Sequence, residues 1–219
     1  MKKALFLLLI VLSLIFSLAF KKTTINNFPL FGKLIVLDPG HGGVDPGASY
    51  NDEYEKDYNL YFAKTLKKQL ELSGATVVLT REGDYDLASS KTDRRKKNDF
   101  DNRIKMINDM KPDVYISLHM NYLNDSQYYG SQTFYSNVNE KNKVLADITQ
   151  NNLNTYFNFN KNATKIDNDK YMYKNLNTVG ILIEYGFISS PKDRNNLKKE
   201  YYRKELSEVI SLSLIHYFT

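Results

Sequence analysis

An α/β fold, with one mostly parallel sheet and helices on both faces, is predicted by three observations. Short β-branched apolar runs recur along the chain, stretches with helical period separate them, and glycine- or proline-bearing turns punctuate the boundaries. The 219 residues include no cysteine, so neither a disulfide framework nor a thiolate metal site is available. A chain of this size can bury a full core as a single domain.

The elements follow in order. Ile35–Leu37 is a buried strand that runs into Asp38-Pro39-Gly40-His41-Gly42-Gly43, a loop whose glycines allow sharp turns and close backbone approach. Glu55 opens a helix to Ser73, with Leu60, Ala63, Leu66 and Leu70 at helical spacing and Gly74 at its C-terminal cap. Ala75–Thr80 is a strand. Lys91–Lys105 carries seven basic and three acidic residues and reads as a solvated loop and helix start, with contact to a wall polymer as the alternative. A helix over Asp101–Met110 stops before Pro112. Val114–Leu118 and Gln132–Tyr135 are strands, Lys141–Phe157 is an amphipathic helix, and Asn158–Asp169 is loop. Tyr171–Tyr173 reads as an edge strand, Val179–Ile183 as a buried one, and Glu205–Tyr217 as a closing helix.

The amino terminus is an address. Met1-Lys2-Lys3 precedes an apolar or small stretch, Ala4–Phe20, followed by Lys21-Lys22. Its 17 residues sit at the short end for a bilayer span and above the usual signal-peptide core. Residues 1–22 are therefore a signal peptide or a membrane anchor; they are read as a retained anchor, with cleavage after Ala19, which Ser17 and Ala19 suit, as the alternative. Residues 23–32 form a polar linker and residues 33–219 the folded domain. The body then lies outside the cytoplasmic membrane. The net charge of +5 falls to three once Lys2 and Lys3 are set aside. That excess suits an anionic polymer such as cell wall and gives no ground for nucleic acid as a partner.

The chemistry gathers at the ends of the apolar runs. His41 follows the first, His119 ends Tyr115–Leu118, and Glu184 ends Gly180–Ile183, while Glu55 opens a helix. In a mostly parallel sheet a site lies beyond the carboxyl ends of the strands, where these residues fall. Two histidines, a carboxylate and a water make a catalytic zinc centre, and a further carboxylate must carry the proton. Spacing does not say which glutamate binds metal. Each residue also has a plainer reading: Glu55 as a first-turn acid at a helix N-terminus, His119 as a core histidine. A glutamate closing an apolar strand is harder to explain that way, because burying an unpartnered carboxylate is costly. His216, inside the last helix, is assigned to ordinary structure.

Six pieces in order resemble the zinc-dependent N-acetylmuramoyl-L-alanine amidases of bacterial cell walls. They are Leu37–Gly43, Glu55–Leu60, Thr80-Arg81, Arg103–Asn108, Ser117–Asn121 and Ile183–Ser189, and the likeness spans about Lys33 to Phe218. The resemblance implies that His41, Glu55 and His119 bind one Zn2+ and that Glu184 is the catalytic glutamate. It also implies a twisted mixed sheet and hydrolysis of the amide between the lactyl group of N-acetylmuramic acid and L-alanine. Arg81, Arg103 and Asn121 are candidates for holding substrate, although Arg81 could equally pair with a structural acid.

Gly130–Tyr135, Asn142-Lys143, the single domain and the short amino-terminal segment resemble the sporulation branch of the family. That branch acts on spore cortex in the forespore compartment, as the first step toward muramic-δ-lactam for germination. An activating protein in the same compartment is a further expected partner. Two departures stand near the site: Ser189-Ser190-Pro191 in place of the usual Ser-Asn-Pro, and no proline in Asn175–Val179. The alternatives are a vegetative autolysin of the same family, a non-catalytic peptidoglycan-binding module, or a zinc carboxypeptidase or deacetylase.

Overall fold

A computed structural model describes residues 28–89, 92–166 and 170–219. The expected amino-terminal signal or anchor lies outside these residues. Among the described residues no helix is long and apolar enough to cross a membrane.

The strands are β1 (Leu34–Pro39), β2 (Ser49–Tyr50), β3 (Glu53–Tyr54), β4 (Thr76–Leu79), β5 (Val114–Asn121), β6 (Gln132–Tyr135), β7 (Thr164–Lys165) and β8 (Gly180–Phe187). The helices are α1 (Glu55–Leu72), α2 (Arg95–Met110), α3 (Glu140–Phe157), α4 (Tyr171–Lys174), α5 (Pro191–Leu197) and α6 (Glu200–Phe218). Six strands form one sheet in the order β4-β1-β5-β8-β6-β7. The β4, β1, β5 and β8 ladders are parallel, and β6 runs antiparallel to β8. The strands β2 and β3 make a separate two-stranded hairpin. The predicted fold class holds.

Strand parity sorts the side chains. Ile35 and Leu37, Ile116 and Leu118, and Ile181 and Ile183 point to one face, where α1, α3 and α6 bury the larger core. Val36, Tyr115 and Leu182 point to the other, packed by Ile107 of α2 and Met172 and Tyr173 of α4. The same alternation, carried on along each strand, puts Asp38, Ser117, His119 and Glu184 on the α2–α4 face. The register sets His119 directly beside Glu184.

Five local expectations need correction. Asn158–Asp169 is not all loop, because Thr164–Lys165 forms β7 and pairs in parallel with β6 at the sheet edge. Strands β5 and β8 do not end at His119 and Glu184 but continue to Asn121 and Phe187, so both residues sit within strands. Tyr171–Tyr173 is not an edge strand but part of the one-turn helix α4. The Asn175 side chain donates to the Tyr171 carbonyl at 2.7 Å, and the Asn175 N–H to that of Met172 at 3.1 Å, closing the turn. A three-residue alternation fits a strand and a turn of helix equally. Helix α2 starts at Arg95, inside the charged run, and buries Asp99 and Arg103 from it. Residues 28–32, expected as linker, fold onto the domain: Leu30 is fully buried and its N–H donates to the Ser73 carbonyl at 2.9 Å.

Candidate metal centre

The buried stripe of α1 explains how Glu55 reaches the site. Phe62, Ala63, Leu66 and Leu70 anchor the helix to the core, and the same stripe continues through Asn59 to Glu55 in the first turn. Glu55 is saturated with donors. Its Oε1 accepts from the Met120 N–H (3.0 Å) and Asn59 Nδ2 (3.2 Å) and lies 2.9 Å from His119 Nδ1. Its Oε2 accepts from the Ala48 N–H (2.9 Å) and lies 3.1 Å from His41 Nε2. Asn59 is held in turn by the Tyr185 hydroxyl, 2.9 Å away, and donates to the Gly40 carbonyl. Burial opposes ionisation of Glu55, but hydrogen bonds and charge from His119 and His41 outweigh it and hold the carboxyl well below its ordinary value.

His41 occupies left-handed backbone space, φ +63°, which a non-glycine residue adopts only where its surroundings impose it. Its Nδ1 donates to Asp45 Oδ2 at 2.9 Å, turning Nε2 toward Glu55. Burial pulls the imidazole pKa down, yet the Asp45 and Glu55 contacts raise it to about 9. The His41 and His119 rings meet edge to face with centroids 4.9 Å apart. Space here admits only glycine at two points. A Cβ on Gly40 would come within 2.1 Å of the His119 ring, and one on Gly47, at φ +68°, within 2.6 Å of both Glu55 and His41.

The three candidate ligands thus offer atoms that all lie within 4.8 Å of one another. Two imidazoles and a carboxylate, with a second carboxylate fixing one tautomer, form a donor set that fits zinc. Glu184 differs from the rest. Its Oε2 is shielded from solvent and has no hydrogen-bond partner among the described residues. Burial pushes its pKa up to about 7, with His119 opposing and the Glu55 carboxylate adding to the rise. These groups line a cleft of about 740 Å³ whose outer wall includes Phe100, Phe134, Ile166 and Met172.

For Arg81 and Arg103, the structural one of the two readings the sequence left open is the one the hydrogen bonds favour. Both are buried, and their guanidinium groups are spent on the framework. Arg81 donates to the carbonyls of Pro39, Gly83, Gly40 and Lys56. Arg103 pairs with Asp38 at 2.7 Å and Asp99 at 2.9 Å and donates to the carbonyls of Pro39 and His41. Burial would raise Asp38, but Arg103 and the Thr80 hydroxyl hold it below its ordinary value. The two arginines therefore fix the loop that presents His41. Asn121 lines the cleft, with its Oδ1 accepting the Tyr122 N–H at 2.8 Å. Sequence reasoning gave no role to Asp45, Asn59 or Asp38, although Asp38 and Asn59 lie inside the quoted pieces Leu37–Gly43 and Glu55–Leu60 and Asp45 stands four residues after His41 in the same glycine-rich loop.

A histidine–carboxylate cradle that could hold a metal ion, beside a glutamate with one shielded oxygen that has no partner among the described residues, is an arrangement suited to metal-assisted hydrolysis. The sequence pattern of the N-acetylmuramoyl-L-alanine amidase family matches residues 35–216, and the chain belongs to that family. It is 36% identical over 196 residues to the germination-specific N-acetylmuramoyl-L-alanine amidase of Bacillus subtilis, covering 88% of this chain and 83% of that one. It is 34% identical to the probable cell wall amidase LytH of Staphylococcus aureus, covering 87% of this chain and 60% of that longer protein. Among solved structures, the CwlD amidase of Clostridioides difficile, in complex with the GerS lipoprotein, superposes with a TM-score of 0.80 at 34% identity. That match covers 85% of this chain and 98% of the other. The chain is a peptidoglycan amidase.

Proposed function

We propose that His41, Glu55 and His119 hold one zinc ion and that Glu184 is the acid/base of amide hydrolysis between the muramic lactyl group and L-alanine. The observation that carries the reading is the isolation of Glu184. A carboxylate with one oxygen shielded and without a partner among the described residues, poised near neutrality beside His119, can take a proton and give it back. When bound, zinc supplies Lewis acidity toward the scissile carbonyl and lowers the pKa of water at the site. Glu184 accepts one proton from the attacking water as the C–O bond forms. It returns that proton to the alanine nitrogen as the C–N bond breaks, leaving a free amine and a muramic carboxylic acid whose remaining proton passes to the amine, giving carboxylate and ammonium. Asp45 holds the His41 tautomer throughout, and Asn59 holds Glu55. Asn121, at the cleft rim, contacts the substrate.

The substrate is spore cortex peptidoglycan, and the product is the first step toward muramic-δ-lactam in germination. The likeness to a germination-specific relative over 83% of its length supports this reading. The protein acts outside the cytoplasmic membrane in the forespore compartment, held by its amino-terminal segment. The solved relative in complex with a lipoprotein supports an activating protein partner. A vegetative wall role is the second reading, favoured by the match to a cell wall amidase. Incubating the chain with purified cortex and with vegetative sacculi, with and without zinc, separates them by mass spectrometry. Free L-alanine amino termini released faster from cortex support the first reading. Faster release from vegetative sacculi supports the second, and released terminal amino acids or acetate would overturn both.

A further inference from the structure

The amino ends of the parallel strands carry an apolar surface that the catalytic function does not use. Phe31 is 80% exposed, Leu72 63% and Phe28 54%. They form one patch, because residues 28–31 lie directly against the end of α1. The Leu30 N–H bonds the Ser73 carbonyl, and a Cβ on Gly74 would stand 2.6 Å from that of Phe28 and 3.2 Å from the Phe31 nitrogen. Lys33 borders the patch, its ammonium 4.4 Å from the centroid of the Phe218 ring and 3.5 Å from Asp113. Exposed large aromatics beside a lysine that can reach polar surroundings are the composition of surfaces that sit at a bilayer interface.

We propose that this face docks on the lipid bilayer and turns the catalytic cleft toward the wall. The inference rests on the reading of Ala4–Phe20 as a retained membrane segment. Phe20 and Phe28 are eight residues apart in the sequence, so even a fully extended chain separates them by at most about 28 Å. A bilayer is therefore the one partner that the tether brings to this patch whatever path the chain takes. The sheet supplies the orientation. Strand β1 begins at Leu34 beside the patch and delivers its carboxyl end at the Asp38–His41 loop, about 20 Å away. His119 and Glu184 lie in the carboxyl halves of β5 and β8 as well. Docking at the amino ends thus leaves the cleft facing away from the membrane, where a polymer substrate lies.

The chain contains no tryptophan, so one introduced residue reports alone. Full-length Phe31→Trp, reconstituted in phosphatidylglycerol-containing vesicles with brominated acyl chains, is compared with Tyr128→Trp, an exposed position on the loop after β5. The expected result is a blue-shifted residue-31 signal quenched several-fold more strongly than the residue-128 signal. Equal, weak quenching in a chain that still floats with the vesicles overturns the docking face and leaves the membrane segment standing. A chain that does not float overturns both. A blue shift without lipid that grows with protein concentration assigns the face to a second copy of the chain and also overturns the proposal.

Discussion

Glu55, on helix α1, and Glu184, on strand β8, line one cleft, and their surroundings are inverse. Loop, strand and helix together surround Glu55 with two backbone N–H groups, an amide side chain and two imidazoles. Strand β8 leaves Glu184 Oε2 shielded and without a partner among the described residues. Saturation with donors makes a permanent anion in fixed geometry, suited to holding a cation. Starvation makes a carboxyl whose charge is nearly as costly as its neutralisation, suited to carrying a proton. One residue type is suited to two proposed roles because the environment differs, not the side chain.

The largest effect on the folded state should come from breaking the framework that holds the His41 loop. Arg103→Met leaves Asp38 and Asp99 buried without their cation and the His41 carbonyl without its donor. We expect a loss of about 3–5 kcal/mol in unfolding free energy, read by chemical denaturation. A loss below about 1 kcal/mol would mean that the Asp38–Arg103 pair does not hold the loop.

Trimming the support of the cradle should have a smaller, specific effect. Asp45→Asn and Asn59→Ala each remove a group that orients a proposed ligand, His41 or Glu55, and should weaken zinc binding by about 10- to 100-fold with the fold retained. Competitive chelator titration measures this; unchanged affinity in both variants would detach these residues from the centre.

The smallest effect separates the two glutamates by pH. In the metal-free protein Glu184 has a folded pKa of about 7, above the ordinary 4.5 of an unfolded glutamate, so folding favours its protonated form. Its destabilising contribution is absent at low pH, grows as pH rises from about 4.5 to about 7, and is constant above. Glu184→Gln should therefore become more stable relative to wild type across that window, by about 1–2 kcal/mol after allowance for partial exposure. A flat difference would remove the argument for a raised carboxyl.

The inverse surroundings also mark what the sequence reveals. Ile35–Leu37, Tyr115–Leu118 and Gly180–Ile183 announce strands by β-branched runs, and a polar residue at each end stands out against them. His41, His119 and Glu184 were legible for that reason. Their convergence followed from parallel topology. Asn59 was hidden because an asparagine within a helical stripe looks like any exposed position until Tyr185 folds beside it. Arg81 and Arg103 were open to two readings because a cation near an active site also suggests an anionic ligand, whereas here the anions and carbonyls belong to the framework itself. Tyr171–Tyr173 was too short for its period to be read, and Leu30 joined the core from a short apolar stretch with no helical or strand period to announce it.

The central claim is that Glu184 moves the proton and the other three residues hold the metal. Its most direct test is Glu184→Gln, assayed for zinc stoichiometry and for release of stem peptides with free L-alanine amino termini from purified peptidoglycan. The account predicts one zinc per chain, as in wild type, and turnover lower by at least about 10²- to 10⁴-fold. Near-normal turnover in the zinc-loaded variant would contradict it.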